Sequence, residues 1–199
     1  MNRREVLEIF ARHRGDAPAV TGPSFGGRVL HELAHEPATI YNMELAYPTA
    51  LCLGLALALP DQRVYAVEGD GSMIAGMATL TTVARCAPPN LVVLVINNRS
   101  FASTGAQPTA EAGSADLVAI ARGAGIGSAV RVSDVGEAEE ALSKAAVTPG
   151  PHFVVADVEP EDVRTAGSSQ AYPFDIVEAA VVFRRALEDR GLVPTIWAV

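Results

Sequence analysis

Two short polar motifs, each placed directly after an apolar run, constrain the fold of this 199-residue chain most strongly. The first is GDG at residues 69–71, which follows the apolar run Val64 to Val67. The second is the pair NN at residues 97–98, which follows the run Leu91 to Ile96. Such runs are typical of buried strands, and the intervening residues 72–96 are enough for one helix and a return strand. We therefore expect both motifs at the carboxyl edge of a parallel sheet, on neighbouring strands.

The residue types in these motifs suit a metal ion together with an anion. Asp70 and an Asn side chain provide hard oxygen ligands for Mg²⁺ or Ca²⁺, and Mg²⁺ usually shares its coordination sphere with waters and phosphates. The glycines allow close approach of the backbone, and Ser72 is expected to begin a helix whose free amides favour a phosphate. Each motif alone is more often an ordinary turn. The two together predict a site for a metal-bridged diphosphate.

At these residues the chain resembles the thiamine diphosphate-dependent enzymes, in which GDG is followed about 25 residues later by NN. The wider pattern, from NMELAYPTALCLGLALALPDQRVYAVEGDGS to NNRSFASTGAQPT, resembles the diphosphate-binding domain of sulfopyruvate and phosphonopyruvate decarboxylases. The resemblance extends over residues 20–187 and implies thiamine diphosphate and Mg²⁺ as cofactors. It implies that the metal is held by Asp70, by Asn98 and by the main-chain carbonyl of Ser100.

The same resemblance implies further contacts with the cofactor. The Tyr41 carbonyl and the Met43 amide would bond the aminopyrimidine, and the Met43 side chain would lie beneath the cofactor. Thr21 and Arg28 match a hydroxyl residue and an arginine that lie near the diphosphate in related decarboxylases. The expected cofactor-binding residues are Thr21, Tyr41, Asn42, Met43, Gly69, Asp70, Gly71, Ser72, Asn98, Ser100 and Phe101.

Several positions depart from the pattern of the relatives. Glu44 stands where they usually have Gly, and Gly76 and Thr79 stand where they tend to have Asn and Glu. Arg99 with Ser100 occupies a turn in which relatives often have Gly, and Arg99 is a candidate for contacting an acidic substrate. Glu44 could be solvated, or it could contact a partner chain or the substrate.

The rest of the sequence predicts an α/β fold, with one domain over residues 1–199. We expect a three-layer, doubly wound sheet of about six mainly parallel strands with helices on both faces. The segment 101–113 is either a loop that orders over a ligand or a flexible surface loop. The expected strands are 17–21, 38–40, 63–67, 91–96, 127–132 and 152–158. The expected helices are 3–13, 28–34, 46–59, 73–85, 115–123, a helix that begins at a Ser133 cap, and 175–190. Of these, we expect 46–59 to be buried on most sides. The segment 160–172 is expected to be extended, and 195–199 is expected to be a tail or an interface strand.

Composition excludes several functional classes. A net charge of −8 provides no basic surface for nucleic acid or for an anionic membrane. Cys52 and Cys86 lie in apolar helical contexts, which predicts buried thiols rather than a disulfide and fits a reducing compartment. The longest apolar stretch, 46–60, is too short to span a bilayer, so we expect a cytoplasmic protein. The histidines are His13, His31, His35 and His152. They do not have the spacing of metal ligands, and we expect no catalytic role for them.

The resemblance implies that this chain cannot form a thiamine active site alone. In the relatives, the glutamate that activates the cofactor lies on a separate pyrimidine-binding domain. We therefore expect a pyrimidine-binding partner subunit in a hetero-oligomer of two or more heterodimers. The leading hypothesis is a non-oxidative decarboxylase of a small 2-oxoacid, with no catalytic residue assigned in this chain. The alternatives are a carboligase of the acetolactate or acyloin type, and a non-catalytic assembly subunit.

Overall fold

The computed structural model describes residues 1–23, 25–160 and 175–195. The predicted segments 160–172 and 195–199 therefore lie almost wholly outside the described residues. The strands are β1 Ala19–Thr21, β2 Thr39–Ile40, β3 Val64–Gly69, β4 Leu91–Asn97, β5 Ser100–Phe101, β6 Gln107–Pro108, β7 Ser128–Val132 and β8 His152–Asp157. The helices are α1 Arg3–Arg14, α2 Phe25–Ala34, α3 Pro48–Ala58, α4 Asp70–Ala75, α5 Thr79–Cys86, α6 Leu117–Ala124, α7 Val135–Val147 and α8 Ile176–Asp189, with 3-10 turns at Ala102–Thr104 and Ala110–Ala112.

Six strands form one sheet in the order β2-β1-β3-β4-β8-β7, and every neighbouring pair is parallel. The predicted fold class is thus confirmed. β3 and β4 are adjacent, and Gly69 lies opposite Ile96. The GDG and NN motifs therefore emerge from neighbouring strands at one edge, as their spacing predicted. Because the chain runs from β1 outwards to β2 and then back to β3, the topological switch point lies between β1 and β3.

Alternating residues of the central strands build two hydrophobic cores, one on each face of the sheet. Val92, Leu94 and Ile96 pack with apolar residues of α1, α2 and α7. Val93 and Val95 pack on the opposite face with residues of α3, α5, α6 and α8. This alternation explains why β4 is buried along its whole length and confirms the three-layer arrangement. No helix in the described part of the chain is long and apolar enough to cross a membrane.

The predicted helix cap at Ser133 is wrong by one residue. The Asp134 side chain caps α7 by accepting from the Glu137 amide at 2.9 Å. The amide and hydroxyl of Ser133 instead donate to the Glu137 carboxylate, at 2.8 and 2.9 Å. An aspartate cap contributes about 1 kcal/mol to the stability of such a helix.

The single helix expected over 73–85 is also wrong, because the structure contains two helices. α4 already begins at Asp70, and Gly76 ends it before α5 starts at Thr79. Gly76 is buried against the backbone of Ala46, where a Cβ atom would lie 2.6 Å from the Ala46 carbonyl oxygen. The close approach of these two backbone segments explains why a glycine is required at position 76.

The expected burial of α3 on most sides is only partly correct. One side of the helix packs into the core through Cys52, Leu53 and Ala56. The other side is open, with Gly54 exposed and Leu57 54% exposed. Both cysteines are free thiols; Cys52 is buried and Cys86 is half-buried.

The substitution Gly76→Ala is expected to destabilise the protein, because its methyl group would collide with the fixed backbone of Ala46. Overpacking of this kind costs about 1–3 kcal/mol, which urea unfolding would measure. The matched control is Gly54→Ala in α3, where no atom lies within 4 Å of the added Cβ. The control should stabilise the helix by about 0.5–1 kcal/mol. Equal effects of the two substitutions would contradict this account of Gly76.

Candidate cofactor and metal site

An open pocket lies at the carboxyl edge of the sheet, beside the switch point. Turns after β1, β3 and β4 contribute to it, and so does Arg3 of α1. The pocket contains seven of the eleven residues that the sequence predicted to bind the cofactor. They are Gly69, Asp70, Gly71, Ser72, Asn98, Ser100 and Phe101.

Asp70 is the predicted metal ligand that is most deeply buried. The residue is 1% exposed, and Oδ2 accepts a hydrogen bond from the Thr109 hydroxyl at 2.5 Å. Burial raises the pKa of the carboxyl above its ordinary value, although the bond from Thr109 and main-chain bonds oppose the rise. A cation bound next to Asp70 would stabilise the charged form and lower this pKa. A buried carboxylate of this kind is suited to a metal ion.

Asn98 and Ser100 provide the other two predicted metal-binding oxygens. The Asn98 side-chain oxygen accepts from the Ser100 amide at 3.1 Å, and both residues line the pocket with Asp70. Ser100 lies opposite Pro108 in the β5–β6 hairpin, and a proline has no amide proton to offer the Ser100 carbonyl. Asp70, Asn98 and Ser100, which could offer one carboxylate, one amide oxygen and one carbonyl oxygen, thus line the same pocket. This donor set fits Mg²⁺, which prefers hard oxygen ligands.

Asn97, the first residue of the NN motif, shapes the turn rather than lining the pocket. Its side-chain oxygen accepts from the Arg99 amide at 3.3 Å. Arg99 has a φ of +59°, a left-handed conformation that favours glycine and is costly for other residues. The turn thus takes its shape without a glycine, with the Arg99 amide held by Asn97.

Phe101 closes over the GDG motif. A Cβ atom at Gly71 would lie 2.2 Å from the Phe101 ring, so the ring rests directly on the Gly71 backbone. The segment 101–113 is not an open loop, because it contains the β5–β6 hairpin and two 3-10 turns. The hairpin pairs Phe101 with Gln107 and places the start of this segment over the pocket.

Ser72 belongs to a hydrogen-bond network that the sequence did not predict. Its hydroxyl donates to Glu68 at 2.6 Å and accepts from the Ala46 amide at 3.0 Å. Glu68 is 1% exposed and also accepts from the amide and hydroxyl of Thr49, at the start of α3. In the sequence, the only indication of this network was Glu68, the acidic residue directly before the GDG motif. Ser72 could therefore contact an anion through its main chain, since its hydroxyl is already engaged.

Four predicted cofactor-binding residues lie outside the lining of the pocket. Thr21 is buried, its hydroxyl accepts from the Asn42 amide at 3.3 Å, and its carbonyl accepts from the Met43 amide at 2.9 Å. The Met43 amide is therefore engaged within the chain in this conformation, and the Met43 side chain packs against the core. Tyr41 is buried in the opposite core. Cofactor binding by Thr21, Tyr41, Asn42 and Met43 stays a prediction, as it does for the seven residues that line the pocket.

The cation that reaches the pocket differs from the one expected. Arg99 pairs with Asp157 at 3.2 Å and does not line the pocket. Arg3 lines it instead, with a side chain only 4% exposed. The guanidinium groups of Arg3 and Arg28 lie 5.7 and 5.9 Å from the centre of the Phe25 ring. An arginine on an amphipathic helix resembles a solvated residue, so no sequence pattern indicated Arg3.

None of the four histidines lines the pocket. His31 and His35 are one helical turn apart, and their rings lie 4.7 Å from each other. His13 pairs with Glu139, and His152 with Thr148. Among the described residues, no group of three or more His, Cys, Asp or Glu could hold a metal ion. A metal at the pocket would thus depend on amide and carbonyl oxygens as well as Asp70.

The fold and the pocket define a doubly wound α/β protein of the class that binds phosphorylated ligands at the carboxyl edge of its sheet. Residues 30–156 match the family described as "Thiamine pyrophosphate enzyme, C-terminal TPP binding domain". The chain belongs to this family, as the GDG and NN motifs had indicated, and thiamine pyrophosphate is another name for thiamine diphosphate.

Individual relatives agree with the family. The chain is 29% identical over 192 residues to sulfopyruvate decarboxylase subunit beta of Methanothermobacter thermautotrophicus, covering 96% of this chain and 97% of that one. It is 32% identical to phosphonopyruvate decarboxylase of Streptomyces viridochromogenes, covering 84% of this chain but 42% of the relative. The fold is similar to that of benzoylformate decarboxylase from Polynucleobacter necessarius, with a TM-score of 0.63 and 17% identity over 78% of this chain and 33% of that structure.

Proposed function

We propose that this chain is the diphosphate-binding subunit of a two-subunit, thiamine diphosphate- and Mg²⁺-dependent decarboxylase of a small 2-oxoacid. The observation that carries the proposal is the placement of Asp70, Asn98 and Ser100 around one pocket. Near full-length similarity to a beta subunit named for sulfopyruvate decarboxylation supports the substrate class. Sulfopyruvate and phosphonopyruvate are the substrates that we consider first.

Each part of the pocket has a separate task in this proposal. Asp70, Asn98 and the Ser100 carbonyl would hold Mg²⁺ against the diphosphate. The main chain of 69–72 would approach the phosphates closely, and the buried Arg3 would add a positive charge to that end. When bound, thiamine diphosphate supplies an electron sink for decarboxylation. The chain itself binds and orients the cofactor and excludes water beneath Phe101.

We infer a second chain because, in the part of the molecule that the structure describes, the carboxylates lining this pocket are already engaged. The carboxylates that line it are Glu68 and Asp70, and both are hydrogen bonded within the chain. The glutamate that activates the cofactor would come from a pyrimidine-binding partner. An apolar side chain at the pocket is available for such a partner, since Leu45 lines it and is 45% exposed. We propose that the assembly contains two or more heterodimers.

A decarboxylation assay tests the function. The chain, combined with the pyrimidine-binding subunit that co-purifies with it, should release CO₂ from sulfopyruvate or phosphonopyruvate and form the aldehyde. The chain alone should give no turnover, because the activating acid is missing. The purified chain without cofactor is the matched control.

The product distinguishes the proposal from its main alternative. A ketol formed from two carbonyl substrates would identify a carboligase, which requires the same cofactor site. Full activity of the chain alone would contradict the two-subunit proposal. Cofactor binding without turnover on any 2-oxoacid, even with the partner present, would favour a non-catalytic assembly subunit.

A further inference from the structure

Arg131, at the carboxyl end of β7, is surrounded by three carboxylates. Its guanidinium donates to Asp157 at 2.7 Å, to both oxygens of Glu111 at 3.1 Å, and to Asp116 at 3.1 Å. The Glu111 side chain is only 3% exposed, whereas that of Arg131 is 29% exposed. Neither residue lines the candidate cofactor pocket. A buried carboxylate held in this way needs an explanation, because desolvating a charge is costly unless its partners are fixed.

Glu111 connects this ion cluster to the end of β4. One of its oxygens accepts from the Asn97 side-chain amide at 3.1 Å. The other accepts from the Leu117 amide at the start of α6, at 2.5 Å. The Asn97 amide group also donates to Asp157 at 2.8 Å, so two partners of Arg131 hold the same asparagine.

Both halves of the predicted metal site depend on this arrangement. The Asn97 side-chain oxygen accepts a hydrogen bond from the Arg99 amide. This bond stabilises the strained turn that contains Asn98 and Ser100. Two residues before Glu111, the Thr109 hydroxyl donates to Asp70 and the Thr109 amide donates to the Arg99 carbonyl at 3.1 Å. The short segment 109–111 therefore contacts the ends of both β3 and β4.

We propose that Glu111, held by Arg131, is a positioning residue for the metal. It acts through Asn97 and Thr109, which hold the turn of Asn98 and Ser100 and the carboxylate of Asp70 in place. This inference rests on the proposed function, since it concerns the Mg²⁺ that would bind with thiamine diphosphate. It adds a role for an acidic residue that lies outside the GDG and NN motifs.

The test is calorimetric titration of thiamine diphosphate into the purified chain, and into its complex with the partner subunit, at a series of Mg²⁺ concentrations. Glu111→Gln keeps the shape of the side chain and removes its charge. It should weaken the apparent Mg²⁺ affinity by about 10-fold, since residues that orient metal ligands typically contribute 10- to 100-fold. At saturating Mg²⁺, cofactor affinity should return close to that of the unchanged protein. A general loss of folding would not show this recovery.

Substitutions of Arg131 give a second measurement. Arg131→Met should weaken Mg²⁺ binding as Glu111→Gln does, and the double variant should be less than additive, because both substitutions break one network. Arg131→Lys should give an intermediate affinity, since an ammonium group cannot reproduce the forked contacts to Glu111 and Asp157. If Glu111→Gln does not fold, the order of the Arg131 variants decides the question.

The matched control is Arg122→Met. The Arg122 guanidinium also donates hydrogen bonds to β7, but its acceptor is the carbonyl of Ala129, two residues before Arg131. Its loss should leave Mg²⁺ affinity unchanged. Unchanged Mg²⁺ affinity in Glu111→Gln or, where that variant does not fold, in both Arg131 variants would overturn the inference and leave the proposed function intact. Failure of the unchanged protein to bind thiamine diphosphate at any Mg²⁺ concentration, alone or with its partner, would instead refute the proposed function.

Discussion

Asp70→Ala is expected to eliminate Mg²⁺-dependent binding of thiamine diphosphate, with a loss of at least about 100-fold in apparent affinity. Asp70 is the one charged group among the three predicted metal ligands, so its removal leaves two neutral oxygens to hold a divalent ion. Calorimetry with and without Mg²⁺ measures the effect. Binding at the original affinity would show that the metal does not depend on Asp70.

The stability of the metal-free protein shows whether a loss of binding reflects unfolding. Because burial raises the pKa of Asp70, the folded protein without metal disfavours the charged carboxylate. Asp70→Asn, which is neutral and similar in shape, should therefore fold at least as stably at neutral pH while binding Mg²⁺ poorly. Asp61→Ala, on an exposed turn after α3, is the control and should change neither property. A lower melting temperature in Asp70→Asn without cofactor would contradict this explanation.

The strand framework could be predicted because its sequence signals are local. The runs that became β3 and β4 are apolar until the motif residues interrupt them, and burial on both faces of a parallel sheet requires that pattern. Asp70 and Asn98 follow these strands directly, so their convergence followed from strand order alone. The resemblance to thiamine diphosphate-dependent enzymes added the cofactor, which the pattern of strands does not specify.

The features that were missed depend on contacts between distant parts of the chain. Glu111 lies in a polar segment and resembles a solvated residue, and its burial depends on Arg131, 20 residues later. The break between α4 and α5 depends on the approach of Ala46 to Gly76, which no helical period reveals. The conformation of 101–113 likewise depends on the packing of Phe101 against Gly71. Sequence patterns indicate which faces are apolar, but they do not show which backbone segments touch.

Gly71→Ala is expected to displace Phe101 from the cofactor pocket. The added Cβ would lie 2.2 Å from the ring, far inside van der Waals contact, so the ring must move. We expect a loss of about 1 kcal/mol in stability, at the low end of the usual cost of overpacking, because the Phe101 ring is half-buried and can turn aside. Thiamine diphosphate binding should weaken as well, because Ser100, next to Phe101, provides a predicted metal ligand.

The other glycine of the motif provides the control. No atom lies within 4 Å of a Cβ built at Gly69, so Gly69→Ala should leave the unfolding free energy of the cofactor-free protein nearly unchanged. Urea unfolding of the two variants without cofactor separates the contributions of the two glycines to the fold. A crystal structure of Gly71→Ala with Phe101 in its original place, or equal stability of both variants, would contradict the prediction. If Gly69→Ala alone weakens cofactor binding without changing stability, then Gly69 serves the close approach of the diphosphate, and Gly71 serves the packing of Phe101 that covers it.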